Sequence, residues 1–264
     1  MKNLLTIAGS DSSGGAGIQA DIKTFAALGA YGMSVITAVT AQNTQAVIKV
    51  AEMSREMVKA QIDAVFSDIR VDAVKIGMVA NAGLIRQIAL SLAEWGAQNI
   101  VLDPVMISKS GCALLEQAAI EALKEDLFPM ATIITPNLPE AEALLGKPIT
   151  NQEEMEKAAG ELYLLGPRSV LIKGGHLQSD AVDVFFDGEK MTVFSAPRIN
   201  SKNTHGTGCT LSSAIAAHLA LGNDLINAVG QSKEYLTKAI DNSVSLGHGA
   251  GPVHHFHKFY STGG

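Results

Sequence analysis

Apolar residues follow two rhythms along this chain. Short, nearly unbroken runs rich in β-branched residues are NLLTIAG (3–9), MSVITAVTAQ (33–42), VDAVKIGM (71–78), NIVLDPVM (99–106), ATIITPN (131–137) and SVLIKGG (169–175). Between them lie longer stretches whose apolar positions return every three or four residues. Runs apolar on both sides predict strands buried on both faces, and helices between them supply the cover. The pattern therefore predicts an α/β fold with a mainly parallel central sheet and helices on both faces.

The first helix is GIQADIKTFAALGA, closed by Gly29, and the second is SREMVKAQIDAVFSDI with Ser54 as its N-cap. Others are predicted near 82–94, 114–126, 137–145 and 151–165, then from about Cys209 to Leu221 and from about Leu225 to Asn242. One segment breaks the alternation. AVDVFFDGEKMTVFSAP reads as two strands joined at Asp187-Gly188, a hairpin that adds antiparallel strands at one edge of the sheet. No repeat, linker or low-complexity run interrupts the chain, so a single domain over 1–264 is expected.

Composition narrows the partners. Hydrophobic residues make up 47% and charged residues 17%, which suits a folded core. The net charge of −6 argues against nucleic acid, whose phosphates are met by basic surface. Thr24 to Ile48 and Asn203 to Asn223 carry no Asp, Glu, Lys or Arg, but Gly, Gln, Asn, Thr and His interrupt both, so no membrane span is expected. The N-terminus lacks a secretory signal, and two cysteines, Cys112 and Cys209, make no disulfide framework. A cytoplasmic protein is the expectation.

Open α/β sheets bind ligands beyond the carboxyl ends of their strands. Those positions hold Gly9-Ser10-Asp11, Gln42-Asn43-Thr44, Gly77-Met78, Asp103-Pro104-Val105, Pro136-Asn137 and Lys173-Gly174-Gly175-His176, a set suited to a polar, phosphate-bearing ligand. Gly15 to Ala20 fits the loose dinucleotide fingerprint, but the acid that should meet a ribose is missing: no Asp or Glu lies between Asp21 and Glu52. No Walker Gly-Lys-Ser/Thr follows either. The most informative stretch is NTHGTGCTLSSA (203–214). A glycine turn leading into a helix aims backbone N–H groups at one spot, and the helix dipole adds positive charge. Gly206, Thr207 and Gly208 are thus expected to form an anion hole, with the Cys209 thiol shifted toward thiolate. An inert buried cysteine is the competing reading.

These residues carry a resemblance. GTGC at 206–209, TIAGSDSSGGAGIQADIKTF, AQNT, KIGM, DPVM, ITPNLPEA, LIKGGH and GHGAGPVHHFH resemble the ribokinase-like vitamin kinases. Within them the chain is similar to the bacterial hydroxymethylpyrimidine/phosphomethylpyrimidine kinases of thiamine biosynthesis, from about Leu4 to His257. The resemblance implies a ribokinase-like fold, ATP as cosubstrate, Mg²⁺, a pyrimidine substrate and a homodimer. It implies that Cys209 sits beside the substrate hydroxymethyl group while the anion hole holds the transferring phosphoryl. Lys173 would neutralise nucleotide phosphates with Asn137, and Glu140 and Asp103 would handle Mg²⁺ through water. Gln42, Gly9, Asp21, Met78 and Val105 would hold the pyrimidine. Pyridoxine kinase activity on the same scaffold is the alternative; GTGC and AQNT favour the pyrimidine. A nicotinamide-dependent oxidoreductase and a non-catalytic pyrimidine-binding protein are the readings from other classes. The histidines of GHGAGPVHHFH lack a zinc-site spacing and are expected to pack structurally. His176 and His205 receive no role.

Overall fold

The structure is a computed structural model that describes residues 1–106, 116–175 and 181–260. One sheet holds β1 (Asn3–Asp11), β2 (Tyr31–Gln42), β3 (Val47–Glu52), β4 (Ala73–Ile76), β5 (Ile100–Leu102), β6 (Ile133–Ile134), β7 (Val170–Lys173), β8 (Ala181–Phe186) and β9 (Met191–Ala196). Its order is β3-β2-β1-β4-β5-β6-β7-β8-β9. The six strands from β2 to β7 in that order are parallel, and β3, β8 and β9 pair antiparallel. The helices are α1 (Gly17–Ala27), α2 (Arg55–Phe66), α3 (Ala82–Glu94), α4 (Gln117–Ala122), α5 (Leu138–Leu145), α6 (Gln152–Tyr163), α7 (Thr207–Ala220) and α8 (Leu225–Asp241).

Successive strand residues point to opposite faces. Leu5, Ile76, Leu102, Ile134 and Ile172 face one way and pack under α2 to α6, with Val58, Leu84, Ala119, Ala141 and Met155 reaching down to them. Leu4, Val101, Ile133, Leu171 and Phe185 face the other way, against Phe25 of α1, Leu211 and Ile215 of α7 and Ala228 of α8. Both faces bury apolar side chains, so the strands lack polar alternation. α7 is packed nearly all round: every residue from Thr210 to Ala220 is buried. Such crowding explains its small residues.

Ser54 caps α2 by accepting from the Met57 amide, and Gly29 closes α1 at φ 81°. The hairpin at Asp187-Gly188 joins β8 to β9 at one edge. The other edge is a correction, because β3 adds a second antiparallel strand beside β2. Most of β3 is exposed on both faces, so no buried face imprinted a period on VIKVAE. The helix expected near 114–126 is described only from Gln117, and it passes at Leu123–Leu127 into a wider π-type turn. α7 starts at Thr207, two residues before the expected start, which puts Cys209 inside its first turn.

Candidate active site

β1 lies between β2 and β4, so the chain leaves it in both directions across the sheet. Strands diverging this way open a crevice beyond their carboxyl ends. The cleft found there has a volume of about 1020 Å³. A site for one small ligand spans roughly 300–1,000 Å³, so this cleft stands at the top of that range.

One wall is built from two glycine loops. Asp11, ending β1, is their hub. Its carboxylate accepts from the Ser13 amide (2.8 Å) and hydroxyl (2.7 Å), from the amides of Gly15 (3.2 Å) and Ala16 (2.9 Å), and meets His205 Nε2 at 2.8 Å. Burial works against its charge, but the bonds from His205, Ser13 and Ala16 outweigh that and lower its pKa to about 2. Gly206 meets this loop from the other side in the left-handed conformation, at φ 81°. A Cβ there would run into the Gly15 carbonyl oxygen. Gly17 is equally constrained, at φ 57° with the Gly9 carbonyl in the way. Only glycine allows the two turns to meet so closely.

Past Gly206, the Thr207 N–H reaches back to the Thr204 carbonyl at 3.5 Å, while the Gly208 and Cys209 N–H groups belong to the first turn of α7, where a helix supplies no acceptor of its own. Gly206, Thr207, Gly208 and Cys209 all line it. The thiolate expectation for Cys209 is overturned. Burial pushes the thiol up to about 11, with Asp21 and Asp103 adding to the shift and Lys75 and the Gly17 amide opposing it. The helix terminus is outweighed by desolvation.

A second wall carries the charges. Lys173 Nζ lies 2.7 Å from Asp103 Oδ1, which also accepts from Thr135 at 3.1 Å. A side chain added to Gly208 would touch both Lys173 Nζ and Asp103 Oδ2 at 3.4 Å, so the ion pair sits against the α7 amides. Burial opposes the Lys173 charge, yet Asp103 and Glu140 raise its pKa. Asn137 and Glu140 form a capping box at the start of α5: Asn137 N–H donates to Glu140 at 2.8 Å and Glu140 N–H to Asn137 at 2.9 Å. Glu140 is 3% exposed, and burial with the Asp103 charge raises its pKa to about 7 against the pull of Lys173. No cluster of three His, Cys, Asp or Glu that could hold a metal occurs among the described residues. Mg²⁺ keeps several waters and takes one or two carboxylates beside phosphates, and Asp103 with Glu140 fits that requirement.

Gly9, Gln42, Met78, Asp103, Val105, Asn137, Glu140, Lys173 and the α7 start all line this cleft. Asp21 does not, which is a correction. It is fully buried and bound to Lys75 Nζ (2.9 Å to each oxygen), the Thr6 hydroxyl (2.6 Å) and the Ser213 hydroxyl (2.7 Å). With four contacts made inside the protein, its carboxylate is directed at the sheet and α7, away from any ligand. His205, given no role by the sequence, is in the wall beside Gln42; its partner Asp11 is 194 positions away, so no local pattern announced it. The Asp11 hub had a signal, an Asp two residues before Ser13 at a strand end, which is an Asx-turn spacing. His176 and Cys112 lie outside the described residues. In the tail, His255 Nε2 meets the Thr210 hydroxyl at 3.1 Å, His254 Nε2 the Tyr260 carbonyl at 3.0 Å, and His257 Nδ1 the His254 carbonyl at 3.1 Å. These are packing bonds.

Comparison with known proteins gives four findings. The profile of the family described as phosphomethylpyrimidine kinase matches residues 11–254. The hydroxymethylpyrimidine/phosphomethylpyrimidine kinase of Rhizobium meliloti is 54% identical over 260 residues, covering 97% of each chain. The thiamine biosynthesis bifunctional protein ThiED of Geobacter sulfurreducens is 53% identical over 96% of this chain, which spans 52% of that longer protein. Among solved structures, the ADP complex of Bacillus subtilis pyridoxal kinase superposes with a TM-score of 0.91 at 40% identity, covering 97% of each chain. The fold is ribokinase-like.

Proposed function

Because this chain belongs to the phosphomethylpyrimidine kinase family, we propose that it transfers the ATP γ-phosphoryl to the hydroxymethyl group of 4-amino-5-hydroxymethyl-2-methylpyrimidine. A second transfer, to the resulting monophosphate, gives the diphosphate used for thiamine biosynthesis. The observation that carries this reading is the meeting in one cleft of the α7 first-turn amides, the Lys173–Asp103 pair and Cys209.

The residues divide the work by chemistry. The amides at Gly206, Thr207 and Gly208 receive the γ-phosphoryl oxygens, where charge accumulates in a loose transition state. Lys173 faces the nucleotide phosphates; Asn137 and the helix it caps complete that wall. Mg²⁺ bound between Asp103 and Glu140, largely through water, would supply further neutralisation of phosphate charge. Gln42, Gly9, Met78 and Val105 hold the pyrimidine ring; Gln42 offers it both a donor and an acceptor. The substrate hydroxyl oxygen forms the new P–O bond as the bond from the γ-phosphorus to ADP breaks. Cys209 still carries its own proton at neutral pH, so it positions the hydroxymethyl group and is not the base. The alcohol proton leaves late, to a phosphoryl oxygen or to water, as little early proton removal is needed.

The enzyme is read as a cytoplasmic homodimer built from one unit over 1–264. Among the described residues no helix is long and apolar enough to cross a membrane, and the exposed edge strand β3, with Ile48 73% exposed, supports self-association. Light scattering tests the dimer. ATP consumption with hydroxymethylpyrimidine, its monophosphate and pyridoxine, compared side by side, tests the reaction. Turnover of both pyrimidines well above pyridoxine is expected; a preference for pyridoxine would transfer the reading to the vitamin B6 substrate, and turnover of none would leave a binding protein.

A further inference from the structure

Gln42 ends β2 at the cleft wall, and its amide is flanked at both ends. Oε1 lies 3.2 Å from Thr40 Oγ1, and Nε2 lies 3.4 Å from His205 Nε2. In this orientation the Oε1 end competes for its donor and the Nε2 end faces another donor. Thr40 has a single hydroxyl proton and two acceptors in reach, the Ser10 carbonyl at 3.0 Å and Oε1 at 3.2 Å, so Oε1 receives at best a shared proton. His205 Nε2 stands 2.8 Å from Asp11 Oδ2, and a carboxylate only accepts. Nε2 therefore carries a hydrogen whether the ring is neutral or cationic, and it faces an amide NH₂ that also only donates.

A half-turn of the amide about its last bond removes the donor–donor conflict at His205 and the competition for the Thr40 proton together. The NH₂ then donates to Thr40 Oγ1, and the oxygen accepts from His205 Nε2–H, shared with Asp11. We propose that Thr40 and the Asp11–His205 pair lock the Gln42 amide in this turned-over orientation, making His205 and Thr40 positioning residues that set substrate specificity. The inference rests on the reading of Gln42 as the pyrimidine contact. The locked amide keeps one N–H and one oxygen lone pair for the cleft, on fixed sides. An aminopyrimidine edge carries an exocyclic N–H next to a bare ring nitrogen, and it matches such an amide in one direction only. A 3-hydroxypyridine has no donor adjacent to its ring nitrogen, so the lock works against it. The His205 backbone is itself held in register, its main-chain N–H donating to the Gly251 carbonyl at 3.0 Å.

The test is a mutant cycle read by steady-state kinetics with hydroxymethylpyrimidine, using pyridoxine as competing ligand. Thr40→Val keeps volume and removes the hydrogen bond, and His205→Phe removes it with a somewhat larger ring. Thr40→Val is expected to raise the pyrimidine KM by about tenfold, the scale of one well-placed bond, to leave kcat and the ATP KM within about twofold, and to narrow the preference over pyridoxine; His205→Phe, which also takes a partner from Asp11, should show the same KM rise and the same narrowing. Combined with Gln42→Ala, neither should add to the loss, because both act through that amide. Effects that multiply in the Gln42→Ala background, or that strike ATP and pyrimidine alike, would overturn the lock. Should His205→Phe fail to fold, the Thr40→Val cycle decides alone. A wild-type enzyme that ignores the pyrimidine sinks the functional reading and this inference with it; an active wild type with multiplying effects sinks the inference only.

Discussion

At Cys209 two effects of opposite sign meet. A helix N-terminus favours thiolate, whereas burial favours the thiol, and burial prevails by moving the pKa to about 11. With Cys112 replaced by Ser, alkylation of Cys209 by iodoacetamide should be slow at pH 7. It should speed up about tenfold per pH unit toward pH 11, as the thiolate fraction grows. A rate already level below pH 8 would restore the thiolate. At Lys173 the contest runs the other way, since two carboxylates overcome its desolvation. Lys173→Met should lower kcat/KM for ATP by about 10²–10³-fold, the range for losing one preorganised electrostatic contact; a loss under tenfold would mean the phosphates lie elsewhere. Strand-end position was enough to single out Gln42, Asp103 and Lys173 for the cleft they line, and the glycine turn before a helix singled out Cys209. The resemblance put Asp21 beside the pyrimidine, and nothing in ADIKTF says which way a carboxylate on the first helix turns.

At the scale of elements, the site is made of helix starts. Asn137 and Glu140 cap α5 while facing the cleft, so one pair serves stability and ligand binding. Asn137→Ala should lower unfolding free energy by about 1 kcal/mol, the usual loss for a cap, and should weaken ATP use more than that loss of fold stability explains. Unchanged ATP kinetics would reduce the pair to a cap. Gly206→Ala should be worse, since the left-handed conformation alone costs about 1–2 kcal/mol and a Cβ meets Gly15. Activity should fall with stability, read by thermal unfolding beside turnover. The glycines and the helix starts were legible because turn chemistry is local. β3 was not, because a strand exposed on both faces buries no pattern.

At the scale of the molecule, a buried charge network ties the layers together. Lys75 on β4 is wholly buried and bound to Asp21 of α1, which also holds Ser213 of α7 and Thr6 of β1. Burial disfavours the Lys75 charge, yet Asp21 raises its pKa. Lys75→Met should destabilise by about 3–5 kcal/mol, because it strands a buried carboxylate. Adding Asp21→Leu should recover much of that in denaturant unfolding; no recovery would mean the pair matters for packing alone. Acid should act through the tail. Burial lowers the His255 pKa from 6.5 to about 3. Between those values the unfolded chain binds a proton that the folded one refuses, so stability is full above pH 6.5 and declines as pH falls toward 3, by at most about 1.4 kcal/mol per unit. His255→Gln should flatten that decline; an unchanged slope would place the acid sensitivity elsewhere.

The sequence by itself determined the layered α/β plan, since strands buried on both faces and capped helices are written in residues a few positions apart. It determined the glycine loops and the strand-end chemistry for the same reason. Only the tertiary structure decided which charges meet. Asp21 with Lys75, Asp11 with His205 and Asp103 with Lys173 are separated by 54, 194 and 70 positions. The ionisation of Cys209 was decided there too, because desolvation depends on what the rest of the chain packs around a thiol.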